Sequence, residues 1–105
     1  MRVLMNVPKT AKRGEAVEIK LLISHPMESG QRRDEMGQVV PRMVIHDFLC
    51  TYNGAEVVRI ALFPAIAANP FLSFSARADA SGTFEFSWAD DGGATQAETA
   101  HIEVV

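Results

Sequence analysis

One cysteine, Cys50, stands in 105 residues, so no disulfide can close within the chain. No apolar run approaches the ~18 residues a membrane-spanning helix needs. The formal charge is −3, which lacks the basic surplus of a nucleic-acid binder. No phosphate loop, dinucleotide fingerprint or nucleophile elbow is present. The opening MRVLMNVPKTAKRGE has no apolar stretch of secretion-signal length, which taken alone points to the cytoplasm. What is present is ordinary globular composition: 48% hydrophobic and 22% charged residues. That suits a single domain over residues 1–105 with one core.

The apolar pattern has period 2, not 3.6. Val3, Met5 and Val7 alternate until Pro8, and KTAKRGE reads as a turn around Gly14. From Val17 the alternation is clean: Val17, Ile19, Leu21 and Ile23 on one face, Glu18, Lys20, Leu22 and Ser24 on the other. Residues 42–52 read as a further strand, and Asn53-Gly54 then calls for a type I′ hairpin into AEVVRIALF. A loop, PAIAANP, leads to FLSFSARA, where Leu72, Phe74 and Ala76 alternate against serines and Arg77. TFEFSWAD points Phe84, Phe86 and Trp88 inward, Asp90-Asp91-Gly92-Gly93 turns the chain, and ATQAETAHIEVV ends it as a strand. About seven strands and no long helix predict an all-β, immunoglobulin-like antiparallel β-sandwich.

Chemistry is sparse. Cys50 has no helix N-terminus beside it to lower its pKa, so a nucleophilic role lacks its setting; a small buried residue is the plainer reading. His25, His46 and His101 lie far apart, although His46 and Cys50, four apart in a strand, would share a face. A copper-binding, cupredoxin-like electron carrier would want Cys, His and Met together in one late loop, which this order lacks. Among the charges of ISHPMESGQRRDEMG, Glu28, Asp34 and Glu35 interleave with Arg32 and Arg33, so local ion pairing competes with anion binding. Three features favour an interaction protein: the aromatics Tyr52, Phe63, Phe71 and Trp88, the long connection of residues 25–40, and the free edges of a small sandwich.

The run His25-Pro26-Met27-Glu28 with Gly30, Arg32 and Asp34 resembles the SoxZ family of the sulfur-oxidation carrier complex. The likeness continues in order through Pro41, Ile45, Phe48, Asn53-Gly54, Asn69-Pro70-Phe71, Phe74, Gly82-Thr83-Phe84, Trp88, Asp90 and Gly92. Ser29 departs from the threonine the pattern leads one to expect. The resemblance implies a non-catalytic subunit without cofactor or metal. It would pair with a SoxY-like chain that carries sulfur intermediates on a cysteine in a Gly-rich arm. HIEVV, a strand-like ending, has no such arm. Also implied are thiosulfate oxidation, transient contacts with other Sox enzymes, no membrane or nucleic acid, and a periplasmic setting reached by export with a signal-bearing partner. Candidate partner contacts are His25, Met27, Glu28, Arg32, Arg33, Asp34, Asn53, Asn69 and Phe71, with an intermolecular disulfide open to Cys50. One of Arg32 and Arg33 could grip a sulfonate on the arm, or both could be solvated charge pairs. A stand-alone binding sandwich is the remaining alternative.

Overall fold

The computed structural model describes residues 2–62 and 69–105. Among them eight strands run in chain order: β1 (Val3–Asn6), β2 (Thr10–Ala11), β3 (Ala16–Ile23), β4 (Ile45–Tyr52), β5 (Ala55–Ala61), β6 (Phe71–Arg77), β7 (Gly82–Asp90) and β8 (Thr95–Val104). They form a three-stranded sheet, β1-β3-β6, and a five-stranded sheet, β2-β8-β7-β4-β5. The expected sandwich is therefore present. Among the described residues the one parallel pairing is β2 with β8, where Thr10 meets Glu103 and Ala11 meets Val104. KTAKRGE is thus more than a turn. It carries the chain from one sheet to the other, and Lys12 to Glu15 then reverses it.

The core follows from alternation. In β3, Val17, Ile19, Leu21 and Ile23 are buried while Glu18, Lys20 and Leu22 are exposed. Phe84, Phe86 and Trp88 of β7 face them, with Phe48 of β4 between Phe86 (6.3 Å) and Trp88 (6.1 Å). Phe48 also meets Phe74 of the opposite sheet at 6.1 Å and so joins the layers. Each such ring contributes about 1.5–3 kcal/mol on burial. Tyr52 stacks on Phe84 at 4.5 Å, and its hydroxyl donates to the Ala80 carbonyl and accepts from the Ala80 N–H. Trp88 and Tyr52 are therefore packed rather than displayed; Phe71 is exposed, and Phe63 lies outside the described residues.

Three local expectations change. β4 begins at Ile45, not at residue 42, because Met43 instead pairs with Glu28 in an isolated bridge. The pairing of β4 with β7 also slips between Ile45 and Asp47, a β-bulge at His46. The extra residue breaks the alternation, so Ile45, Phe48 and Cys50 are buried while His46 stays half-exposed and does not share Cys50's surroundings. β1 also departs from plan. It is an edge strand, so Leu4 and Met5 remain exposed.

Candidate partner-binding site

Residues 24–43 lead from β3 towards β4, and residues 28–43 fold back on themselves as a hairpin. His25 is its anchor. The His25 N–H donates to Asn69 Oδ1 (3.0 Å), and its carbonyl accepts from Asn69 N (2.7 Å). Its Nδ1 accepts from the Met27 N–H at 3.0 Å. In the neutral ring the proton is therefore on Nε2, which lies 3.7 Å from Asp90 Oδ2. Met27 sits at φ 50° with its side chain buried, and its sulfur accepts from the Ile45 N–H at 3.3 Å. Both side chains, expected as partner contacts, are buried, at 4% and 5% exposure. His25 and Met27 hold the loop from within and present no surface.

The hairpin itself is a built arm. Glu28 bridges to Met43, Arg32 O accepts from Val40 N (2.8 Å), Arg33 bridges to Val39, and Asp34 to Gly37 closes the tip. Asp34 Oδ1 accepts from both Met36 N (2.9 Å) and Gln38 N (3.0 Å), the turn geometry its side chain favours. Arg32 Nη2 lies 2.7 Å from Glu28 Oε1, so the pair expected from interleaved charge forms, and Arg32 holds the Glu28 carboxyl below its usual range. Arg33 donates to the Gly37 carbonyl at 2.8 Å. The two arginines are thus engaged within the arm. Residues 31–39 are all exposed, Met36 most of all among the apolar ones, and the molecule measures 58 × 19 × 18 Å.

The arm is fastened at its base by residues that read in sequence only as strand and turn. Arg42 Nε lies 2.7 Å from Asp91 Oδ2, which also accepts from the Val44 N–H (3.1 Å). The Arg42 guanidinium holds the Asp91 carboxyl below its usual range. Asp90 Oδ1 accepts from Gly92 N (2.9 Å) and Ala94 N (3.0 Å), shaping the β7–β8 turn against which the base rests.

The other expected residues lie elsewhere. Asn53 is at the opposite end, at φ 50° in the hairpin turn, where its Oδ1 accepts from Thr83 N at 3.0 Å. Asn69 and Phe71 flank β6 near His25 and belong with two residues not singled out beforehand, Leu4 and Leu22. Leu22 pairs with both Leu4 and Phe71 across the three-stranded sheet. Its signal was legible: Leu22 is the large apolar residue among the outward positions of β3. Cys50 is fully buried, and burial pushes its thiol up to about 12. In this chain alone the Cys50 side chain offers no accessible surface for an intermolecular disulfide. His46 pairs with Asp47 (3.0 Å) and His101 with Glu103 (3.1 Å). Among the described residues no three of His, Cys, Asp and Glu come together as a metal-holding group.

Among the described residues the chain is an eight-stranded sandwich with an exposed hairpin arm and a buried thiol. Its architecture recurs in solved structures. The superoxide reductase (neelaredoxin) from Ignicoccus hospitalis aligns over 100% of this chain and 81% of its own, with a TM-score of 0.74 at 14% identity. The sulfur carrier protein SoxY from Chlorobium limicola f thiosulfatophilum aligns over 98% and 78%, with a TM-score of 0.68 at 14% identity. At such identity the likeness is one of fold. No curated protein matches. The sequence matches the family of sulphur oxidation protein SoxZ over residues 5–101, and the chain belongs to that family.

Proposed function

We propose that this chain is the non-catalytic subunit of a heterodimeric sulfur carrier. It binds a SoxY-like chain, stabilises it, and helps present that chain's cysteine arm to the Sox enzymes of thiosulfate oxidation in the periplasm. The observation that carries the reading is the SoxZ match over nearly the whole chain. The state of Cys50 supports it. Sulfur carried covalently needs an accessible thiolate, and the one thiol here is buried and raised to about 12. This favours a carrying group on the partner rather than on this chain.

The test is co-expression with a SoxY chain bearing a Gly-rich cysteine arm. One-to-one co-purification, with the SoxY chain aggregating when this chain is omitted, is the expected outcome. A SoxY chain that folds and cycles sulfur normally alone would overturn the proposal. Fractionation of the co-expressing cells should place both chains in the periplasm.

A further inference from the structure

The outer face of the three-stranded sheet carries large apolar side chains where a solvated sheet would carry polar ones. Leu4, Leu22 and Phe71 stand in one row across β1, β3 and β6, 61%, 37% and 60% exposed. Shallow depressions flank Leu22 on both sides. One, of about 150 Å³, is lined by Arg2, Leu4, Leu22, Ser24 and Asn69. The other, of about 230 Å³, takes in Leu4, Met5, Asn6, Lys20, Leu22 and Phe71. A contiguous apolar row with a polar rim marks a contact surface, whereas scattered single residues do not. β1 beside it is a sheet edge, open to whatever covers the row.

The rim says what fits. Outward on this sheet are Arg2, Lys20 and Arg77 against one carboxylate, Glu18, which lies 3.2 Å from Lys20. The surface is cationic on a chain of net charge −3. Two copies joined row to row would set Arg2 and Lys20 of each against those of the other. Two copies joined head to tail would offer the five-stranded sheet's outer face, acidic through Asp47, Glu56, Glu85 and Glu103 against Arg59. That face has a depression of about 400 Å³ around half-buried Leu49, Ser87, Ala89 and Ala97, but among the described residues no large apolar side chain stands exposed on it. Such a contact would also propagate without closing. The occupant is therefore a different chain, apolar at its centre with carboxylates opposite Arg2 and Lys20.

We infer that the Leu4–Leu22–Phe71 row is the seat of the SoxY-like subunit, with Arg2 and Lys20 pairing acidic residues at its rim; this rests on the function proposed above. The row places the heterodimer contact on the three-stranded sheet and leaves the arm of residues 28–43 free of it.

Dissociation of the co-expressed, co-purified complex on dilution, followed by sedimentation, tests the assignment. Phe71→Ser and Leu4→Ser, both exposed and so compatible with folding by circular dichroism, should each weaken binding by about 30-fold or more, the effect of losing a central anchor. Met36→Ser at the arm tip should leave affinity unchanged. Arg2→Ala with Lys20→Ala should slow association and flatten its salt dependence. Wild-type affinity in Phe71→Ser and Leu4→Ser would overturn the inference, as would self-association of the free chain that Phe71→Ser abolishes while SoxY binding persists. If the wild-type chain binds no SoxY subunit, the proposed function fails instead, before any variant is made.

Discussion

His25 and Asp90 meet inside the sandwich, Nε2 3.7 Å from Oδ2, with side chains only 4% and 10% exposed. The contact joins the loop that leaves β3 to the turn that leaves β7, and each residue has further work on its own side. Asp90 Oδ1 takes two backbone N–H groups of the β7–β8 turn, while His25 Nδ1 takes the Met27 N–H. Asp90→Ala orphans both turn donors and leaves His25 Nε2 facing nothing charged. Each part-buried donor left unsatisfied costs about 1–3 kcal/mol. Asp90→Asn keeps an acceptor for the turn and should lose less. Urea unfolding should rank wild type above Asp90→Asn, and Asp90→Asn above Asp90→Ala; equal midpoints for all three would show that the turn holds without this side chain.

Cys50 should be silent until the protein unfolds. It sits at 0% exposure with its thiol raised to about 12 by burial, so almost no thiolate exists at neutral pH. A chromogenic disulfide reagent should release no signal from native protein and one equivalent in denaturant. Cys50→Ala removes one buried sulfur and should cost about 1 kcal/mol. Cys50→Ser is expected to cost more, because the hydroxyl is more polar than the thiol it replaces. Fast labelling of the folded chain would mean that β4 opens readily.

These sites were unequally legible in sequence. β3 announces its faces through strict alternation, and Asn53-Gly54 announces its turn because both residues take positive φ, 50° and 85°. Such signals are local. The burial of His25 is not, since it depends on Asn69 and Asp90, distant along the chain. The bulge at His46 likewise depends on how β7 slips against β4, which no alternation within β4 encodes. The pairing of β2 with β8 is set by two residues, too few for a pattern. For the candidate site, charge interleaving correctly suggested the Glu28–Arg32 pair, while Asp91, which fastens the arm through Arg42, read only as a turn residue.

Gly82 tests the turn region from the other side. A Cβ there would fall on the Asn53 carboxamide, the same group whose Oδ1 accepts from the Thr83 N–H. Gly82→Ala therefore displaces Asn53 and breaks that bond, with an expected loss of about 1–3 kcal/mol. Paired with Asn53→Gly, the alanine should be better tolerated than the single costs add up to. A double-mutant cycle by thermal unfolding measures the coupling, and strict additivity would mean that Asn53 moves aside freely.

Acid should loosen the arm before it unfolds the sandwich. The carboxyls of Glu28 and Asp91 are held below their usual range, chiefly by hydrogen bonds from Arg32 and Arg42. Folded values below the unfolded ones mean that these contributions are present above about pH 4 and fade as pH falls through the folded values. His46 runs the other way. Asp47 raises it, so its contribution is present at acidic pH and is lost as pH climbs through the raised value. Amide chemical shifts of Val44 and Glu28 should move at lower pH than model carboxyls titrate, and Arg42→Gln should return the Val44 transition upward.

The arm tip should detach energetically from the body. Asp34 Oδ1 accepts from Met36 and Gln38, and with the Gly37–Asp34 backbone bond it closes the tip, yet every residue from 31 to 39 is exposed. Exposed hydrogen bonds with little apolar burial open locally at low cost, without global unfolding. Asp34→Ala should speed hydrogen exchange at Gln38 and Val40 while exchange at Phe86 and Ile102, in the buried core, stays at the wild-type rate. The global midpoint should change by no more than about 0.5 kcal/mol. If core exchange quickens in step with the tip, the arm and the sandwich unfold as one unit. If neither changes, the backbone bridges of Glu28 with Met43 and Arg33 with Val39 suffice to hold the arm.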